Sequence, residues 1–401
     1  MKEIEGSITS VQNFKASSVS CGIKKNNKKD IALIYSTKPS IAAGVFTTNK
    51  ALSPTVQVCR ENLLFPIARA VAINSGNANA CVGNQGYFDA KKITQLTAHE
   101  LKISSQEVLI ASTGIIGKQL PMDKIVQGIP NLVRELDENG GDDAAEGILT
   151  TDTFPKTAAV EIDIEGTKIR VAGIAKGAGM IHPHMATMLA FITTDVVIKK
   201  NILQKLLVEA TEKSFNMISV DGDSSTNDTV IILANGSAKN KILVESSPSL
   251  KVFAEALGYI TSKLARLIVR DGEGATKLIE VYVKGTNAQH EARSIAFAVA
   301  RSNLVKTAFF GEDPNWGRIV ASAGTASVSF DPNKLDLFFG QEQVVNNGVD
   351  CSKGRKMEIE NVLKKRDILL TINLNSGNEE AHVLTCDLSL DYVKINALYS
   401  S

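Results

Sequence analysis

Strand-like and helix-like segments interleave along this chain, but they do not follow a regular strand–helix alternation. Apolar, β-rich runs at 31–37, 41–48 and 69–74 come in close succession and predict three strands before the first long helix, over 88–102. A doubly wound parallel sheet requires a helix after nearly every strand. The order therefore predicts an α/β or α+β protein in which sheets and helices form layers.

Further elements follow from the periodicity of apolar residues. The segment 198–215 gives the clearest helix, because its apolar residues fall on one face. Alternating apolar residues predict a hairpin whose strands, 160–164 and 169–174, meet near Gly166. The other predicted helices and strands lie at 122–136, 249–269 and 291–304, and at 107–117 and 278–283.

Length and composition limit the class of protein. A chain of 401 residues is too long for one simple core and predicts two or three domains, although no linker marks a boundary. The net charge of +1 gives no sign of a nucleic-acid or anionic-membrane partner. No apolar run reaches about 18 residues, so we expect no membrane span. The N-terminus lacks an apolar segment of the secretory kind, so we expect no secretory signal. Five cysteines without a C-x-x-C pair predict a reducing, cytoplasmic setting.

Most familiar site patterns fail in this sequence. The glycine-rich segments 176–180 and 272–277 lack the order of a phosphate-binding loop. His182 and His184 flank a proline but have no obvious third ligand, so no metal site is expected. The acidic run 221-DGDSSTND-228 lacks the glutamate that would close a calcium loop, and a polar turn is the favoured interpretation.

Nucleophilic chemistry leaves one candidate position. The chain has no G-x-S-x-G motif, and Cys81 in an Asn- and Gly-rich loop is only a weak alternative. Thr187 follows the small Ala186 after a glycine-rich approach. A threonine becomes a good nucleophile when it is the first residue of a chain, because its own α-amine can take the proton. Spacing alone favours a simpler interpretation, in which Thr187 is a β-branched residue that begins a strand.

The exact sequence around Thr187 favours the nucleophile over the simple strand residue. The segment 173-GIAKGAGMIHPHMATMLAFITTD-195 closely resembles the cleavage motif of the ornithine acetyltransferase family, the glutamate N-acetyltransferases of arginine biosynthesis. The resemblance extends along nearly the whole chain. Its other blocks are 44-GVFTTNK-50, 74-NSGNANA-80, 111-ASTGIIG-117, 150-TTDTFPK-156, 221-DGDSSTNDT-229, 270-RDGEGATK-277, 311-GEDPNWGRI-319 and 394-KINALYSS-401.

The resemblance implies a fold and a processing event. The fold is the layered α/β (α+β) sandwich of a superfamily that includes aminopeptidases and ornithine acetyltransferases. The precursor would cut itself between Ala186 and Thr187, giving an α chain, 1–186, and a β chain, 187–401. These chains would stay together and assemble as a heterotetramer of two α and two β chains.

The family's functional residues carry over position by position. Thr113 and Gly114 match the oxyanion hole, where a hydroxyl and a backbone N–H can converge on a developing negative charge. The matched substrate-binding residues are Thr150, Lys176, Thr187, Glu273, Asn396 and Ser401.

The implied activity moves the acetyl group of N-acetylornithine to glutamate through an acetyl-Thr187 intermediate. No cofactor or metal is implied, and the sequence leaves open whether acetyl-CoA is also a donor. Two alternatives remain open at this point: an amide hydrolase or aminopeptidase of the same superfamily, and a non-catalytic protein that binds a polar ligand.

Overall fold

The computed structural model describes residues 1–25, 27–182 and 188–398. Its strands are β1 (Lys2–Glu3), β2 (Phe14–Val19), β3 (Ile31–Phe46), β4 (Ala68–Asn77), β5 (Val108–Ile115), β6 (Lys156–Ile164), β7 (Thr167–Lys176), β8 (Leu189–Thr194), β9 (Ile218–Ser219), β10 (Thr229–Ala234), β11 (Leu278–Thr286), β12 (Asp336–Phe339), β13 (Glu342–Asn346), β14 (Val349–Asp350), β15 (Asp367–Asn373) and β16 (Glu379–Cys386). Its α-helices are α1 (Pro54–Leu63), α2 (Gln85–Leu101), α3 (Met122–Arg134), α4 (Gly141–Gly147), α5 (Lys200–Glu212), α6 (Leu250–Arg270), α7 (Gln289–Ala300), α8 (Asn303–Phe310), α9 (Trp316–Ala323), α10 (Lys356–Leu363) and α11 (Leu390–Leu398). Short 3₁₀ turns lie at Ile8–Ser10, Ser105–Glu107, Phe215–Met217 and Pro332–Lys334.

The described chain divides into two compact units. The first unit comprises Met1–Asn216 and Asp223–Ile268, and the second unit comprises Met217–Gly222 and 269–398. Each unit has its own sheet and its own apolar core. The mixture of strands and helices confirms the predicted α/β (α+β) class. The predicted boundary between an α and a β chain at 186/187 concerns cleavage and not compact units, so it stays a prediction.

One long sheet organises the first unit. Its strand order is β1-β6-β7-β8-β10-β3-β4-β5, with β2 paired to β3 as a branch. Strands β8 and β10 run parallel to each other and lie between β7 and β3. The predicted hairpin is confirmed as β6 and β7, whose register pairs Ile164 with Thr167 around the turn.

Strand β3 differs from the sequence-based expectation. The patterns 31–37 and 41–48 predict two strands, but the chain continues as one strand through Pro39. Its first part pairs with β2 and β4, and its last part, from Ile41, pairs with β10. The pairing with β4 is irregular between Tyr35 and Ser40, and Pro39 lies in this stretch. Proline has no N–H to donate, so this position removes no hydrogen bond from a regular ladder.

The core of the first unit joins both parts of this sheet. Leu33 of β3 and Leu109 of β5 belong to the same buried cluster as Phe191 of β8 and Ile231 of β10. Strand and helix side chains thus fill one continuous interior, which is what the layered architecture requires.

The second unit contains the sheet β14-β13-β12-β15-β11-β16-β9 and the helices that pack on it. The predicted single helix over 291–304 is wrong, because the structure has two helices, α7 and α8. The Ser302 side chain accepts a hydrogen bond from the Val305 N–H and begins a new helix at that point. None of the helices in the described parts of the chain is long and apolar enough to cross a membrane.

Replacing Phe191 by alanine should lower the apparent free energy of unfolding by about 3–5 kcal/mol, because the ring is 1% exposed within the core of the first unit. Urea titration followed by circular dichroism would measure the change. Phe88→Ala is the matched control, since Phe88 is 62% exposed and its loss should cost no more than about 0.5 kcal/mol. Equal effects for the two variants would show that the core is wrongly assigned.

Candidate active site

Thr113 and Gly114 lie near the end of β5, where β5 approaches β4 very closely. Gly114 has φ +132° and pairs with Gly76, whose φ is +96°. A Cβ atom on Gly114 would lie 2.3 Å from the Gly76 carbonyl carbon, so only glycine fits there. The β4–β5 register shifts between Gly76 and Asn77, so the pairing becomes irregular directly beside Thr113.

Lys176 connects two of the predicted site residues. It is the last residue of β7 and is 2% exposed. Its Nζ donates to Thr150 Oγ1 at 2.8 Å and to Thr113 Oγ1 at 3.3 Å. The structure therefore brings together three side chains, from β5, from the segment after α4 and from β7, that are far apart in sequence.

A buried carboxylate supports this arrangement. Asp152 Oδ1 lies 2.7 Å from Lys156 Nζ, and Asp152 Oδ2 lies 3.9 Å from Lys176 Nζ. Burial alone would raise the pKa of Asp152, but the ammonium groups of Lys176 and Lys156 outweigh it and hold that pKa well below its usual range. Asp152 is thus an anion between two cations.

The same carboxylate also orders the backbone. Asp152 Oδ2 accepts from the Thr150 N–H at 3.0 Å, and Oδ1 accepts from the Gly177 N–H at 2.6 Å. It therefore fixes the backbone at Thr150 and just after Lys176. Asp152 and Lys156 were not predicted from the sequence, in which an acid four residues before a lysine was the available signal.

Lys24 is a further cation that sequence analysis missed. Its Nζ donates to the carbonyls of Lys29 at 2.7 Å and Gly147 at 3.3 Å, so it joins its own loop to the end of α4. Four backbone N–H groups of that loop, 21–24, donate to the Asp30 carboxylate. Burial lowers the pKa of Lys24 to about 8. The Asp30 carboxylate acts in the opposite direction and raises this pKa, whereas the positive charge of Lys176 lowers it further.

In the second unit, Glu273 and Asn396 are hydrogen-bonded to each other. Asn396 Nδ2 donates to Glu273 Oε2 at 2.8 Å and to the Tyr392 carbonyl at 3.0 Å. Gly274, with φ +70°, turns the chain after Glu273, and its carbonyl accepts from the Ser389 hydroxyl at 2.6 Å. Two predicted substrate-binding residues from distant blocks therefore meet.

Three predicted positions cannot be placed. Ala186, Thr187 and Ser401 lie outside the described residues, as does His184. Within the ranges that the structure does describe, no group of three His, Cys, Asp or Glu side chains could hold a metal ion. The roles assigned to the site residues remain predictions.

Comparison with known proteins settles the family. Residues 15–401 match the family model described as the ArgJ family. The chain belongs to the ArgJ family. The protein named arginine biosynthesis bifunctional protein ArgJ from Caldanaerobacter subterraneus subsp. tengcongensis is 46% identical over 403 residues, which cover 100% of both chains. The protein of the same name from Geobacter sulfurreducens is 47% identical over 389 residues, covering 97% of this chain and 99% of the relative.

A solved ArgJ structure gives a second kind of comparison. The crystal structure of the arginine biosynthesis bifunctional protein ArgJ from Bacillus halodurans has 38% identity and a TM-score of 0.50. The match covers 97% of that chain but only 52% of the present one. The resemblance inferred from the sequence blocks is therefore confirmed at the level of the family, and the chain is an enzyme of the ArgJ family, not a non-catalytic binding protein.

Gly114→Ala should lose most of any ArgJ-type activity, because the added Cβ would collide with the β4 backbone and displace Thr113. Backbone strain adds a destabilisation of about 1–3 kcal/mol. Gly117→Ala is the control: Gly117 has φ +77° but open space around its Cβ, so it tests the strain without the collision. Activity normalised to folded protein, with thermal unfolding in parallel, separates the two effects. Equal activities would contradict the close approach.

Lys24 should make stability depend on pH. Its pKa is 10.5 in the unfolded chain and about 8 in the folded protein, so the unfolded chain holds more protons between these values. The free energy of unfolding of the parent should therefore rise from pH 8 to 10.5 relative to Lys24→Met, by on the order of 2 kcal/mol. Urea titrations of both proteins across this range measure the difference. A difference that does not change with pH would rule out the lowered pKa.

Proposed function

We propose that this ArgJ-family chain transfers the acetyl group of N-acetylornithine to glutamate, after cutting itself before Thr187. The observation that carries the proposal is the buried Lys176, which hydrogen-bonds both Thr113 and Thr150 within a family whose relatives are named for arginine biosynthesis. A buried cation with two hydroxyls beside it suits the binding and stabilisation of negative charge.

Self-cleavage is the first step of the proposal. The Thr187 hydroxyl attacks the Ala186 carbonyl carbon, the peptide C–N bond breaks, and an ester forms while the Thr187 α-amine is released. Water then hydrolyses the ester, leaving a carboxylate on Ala186 and a free hydroxyl on Thr187. The new α-amine can act as a general base near neutral pH.

The matched length of the Bacillus halodurans chain supports this step. Nearly all of that chain aligns, yet it spans about half of the present chain. Cleavage before residue 187 divides 401 residues close to the middle. A processed chain of this family would have such a length.

Acetyl transfer then proceeds in two half-reactions. Thr187 Oγ attacks the acetyl carbonyl of N-acetylornithine, the amide bond breaks, and ornithine leaves with the proton on its amine. The amine of glutamate attacks the resulting acetyl ester, which forms N-acetylglutamate and restores the Thr187 hydroxyl. Thr113 and the Gly114 N–H would stabilise the oxyanion of both tetrahedral intermediates.

The charges of the predicted substrate-binding residues, taken one by one, suit amino-acid substrates. Lys176 would hold a substrate carboxylate and, by like-charge repulsion, keep the α-amine of Thr187 neutral. Thr150 would contact the same substrate, since it shares the Lys176 ammonium. Glu273, oriented by Asn396, suits the cationic amine of ornithine, and Ser401 would complete the binding set.

The remaining parts of the proposal rest on family membership. The α and β chains stay together as a heterotetramer in the cytoplasm, and the reaction needs no cofactor. Acetyl-CoA would be a substrate if the chain also acetylates glutamate directly, which an assay with acetyl-CoA as the only donor decides.

Thr187→Ala should abolish both cleavage and acetyl transfer, because it removes the hydroxyl that attacks in each step. Denaturing mass spectrometry would show one 401-residue species in place of two, and N-acetylglutamate formation from N-acetylornithine and glutamate would fall to background. Thr193→Val is the control: Thr193 is also buried, and its hydroxyl donates to the Ile8 carbonyl at 2.7 Å, so this variant should still cleave.

Two outcomes would overturn the proposal. Transfer by Thr187→Ala would exclude the acetyl-threonine route. Release of acetate by the parent protein at a rate that added glutamate does not change would indicate an amide hydrolase instead.

A further inference from the structure

Asn227 connects two buried segments beside the predicted oxyanion hole. It is 3% exposed, and its Nδ2 donates to the Ala78 carbonyl at 2.6 Å and to the Ser112 carbonyl at 2.9 Å. Ser112 directly precedes Thr113. Asn227 therefore holds the strand that carries the oxyanion residues.

Asp228, the next residue, binds the backbone that directly follows the proposed nucleophile. Its Oδ1 accepts from the Met188 N–H at 3.0 Å, and this nitrogen belongs to the peptide bond that follows position 187. The Met188 carbonyl in turn accepts from the Thr229 N–H at 3.2 Å. Met188 is thus fixed at both its N–H and its carbonyl by two adjacent residues.

The sheet makes this anchor rigid. Leu189 and Thr229 begin β8 and β10, and they are partners in the parallel pairing of these strands. The Thr47 N–H also donates to the Asp228 carbonyl at 3.0 Å, just beyond the end of β3. Asp228 is therefore held by strands on both sides and cannot shift without disturbing the sheet.

The environment of Asp228 favours its neutral form. The residue is fully buried, and the Ser225 and Thr47 side chains lie beside its carboxyl group. Burial raises the pKa of Asp228 well above its usual range, and the Met188 N–H and the Lys176 ammonium offset only part of this. A protonated carboxyl has nearly the shape of an asparagine amide, which also accepts through Oδ1.

We propose that Asn227 and Asp228 are paired positioning residues, in which Asn227 fixes Ser112 and Asp228 fixes Met188, so that together they set the spacing between Thr113 and Met188, the residue bonded to the proposed nucleophile. The proposal rests on the proposed function, because it takes position 187 as the nucleophile. Neither residue needs to touch substrate, and neither needs a charge.

The first test compares Asp228→Ala with Asp228→Asn. The alanine variant should lose the hydrogen bond to Met188. Its kcat should fall by about 10- to 100-fold, because a nucleophile displaced by about 1 Å reacts that much more slowly, and its KM should change little. Self-cleavage should slow in parallel, measured as the rate at which two chains replace one in denaturing mass spectra. Asp228→Asn keeps the acceptor and the neutral state, so it should restore kcat to within about threefold of the parent.

Asp195→Ala is the matched control for stability. Asp195 follows β8 at its other end, is 2% exposed, and accepts from the Arg170 N–H at 2.9 Å. Burial also raises its pKa. Its loss should lower the thermal unfolding midpoint, as the loss of Asp228 does, but it should leave the kcat of the folded protein unchanged.

A double-mutant cycle tests whether the two residues act as a pair. If both set one distance, then Asn227→Ala combined with Asp228→Ala should lower kcat by less than the product of the separate effects. A strictly multiplicative loss would show that they act independently and would contradict the pairing.

The remaining outcomes are also decisive. If the parent neither cleaves nor transfers acetyl groups, the proposed function itself fails. If the parent is active and Asp228→Ala matches it, the positioning role is wrong. If Asp228→Asn is as inactive as Asp228→Ala while both fold, Asp228 acts as an ionised group and the neutral positioning role is excluded.

Discussion

The buried contact of Asp152 with two lysines is the interaction on which the candidate site depends. Asp152 joins Lys156 to Lys176 and also binds backbone N–H groups on both sides of the site. Burying one charge is costly, and a buried carboxylate is tolerated only when paired charges and hydrogen bonds replace its water. Here both cations and both backbone donors do so. Removing one partner of such a pair typically destabilises a protein by about 3–5 kcal/mol, because the other charge stays buried and unpaired.

This arrangement explains why Lys176 can serve a buried site at all. An ammonium that is 2% exposed needs anions or dipoles nearby to remain charged. Asp152 provides the charge, and the hydroxyls of Thr150 and Thr113 provide the dipoles. The Lys176 side chain is therefore held in place by contacts of this chain alone, and in the proposed reaction a substrate carboxylate would meet a preorganised partner.

Local patterns predicted the elements that depend on local periodicity. The β6–β7 hairpin and the helices α5 and α6 are confirmed within a few residues. The continuity of β3 through Pro39 and the break between α7 and α8 were missed, because tertiary pairing and a single serine cap decide them. The sequence blocks selected Thr113, Thr150 and Lys176, which the structure brings together through hydrogen bonds of Lys176, while their roles stay predictions. They did not find Asp152 or Asp228, since hydrogen bonds such as that of Asp228 to Met188 span 40 residues and follow from sheet register.

The position of β8 and β10 gives the proposed cut an unusual topology. Both strands follow position 187 in the chain, yet they lie between β7 and β3, which precede it. A single break there would leave two polypeptides in one sheet, with the β8–β10 pair of the second enclosed between strands of the first. Separating them would break the hydrogen-bonded ladders between β7 and β8 and between β10 and β3. The two pieces of a cleaved molecule would therefore stay associated through backbone hydrogen bonds that formed while the chain was still one precursor.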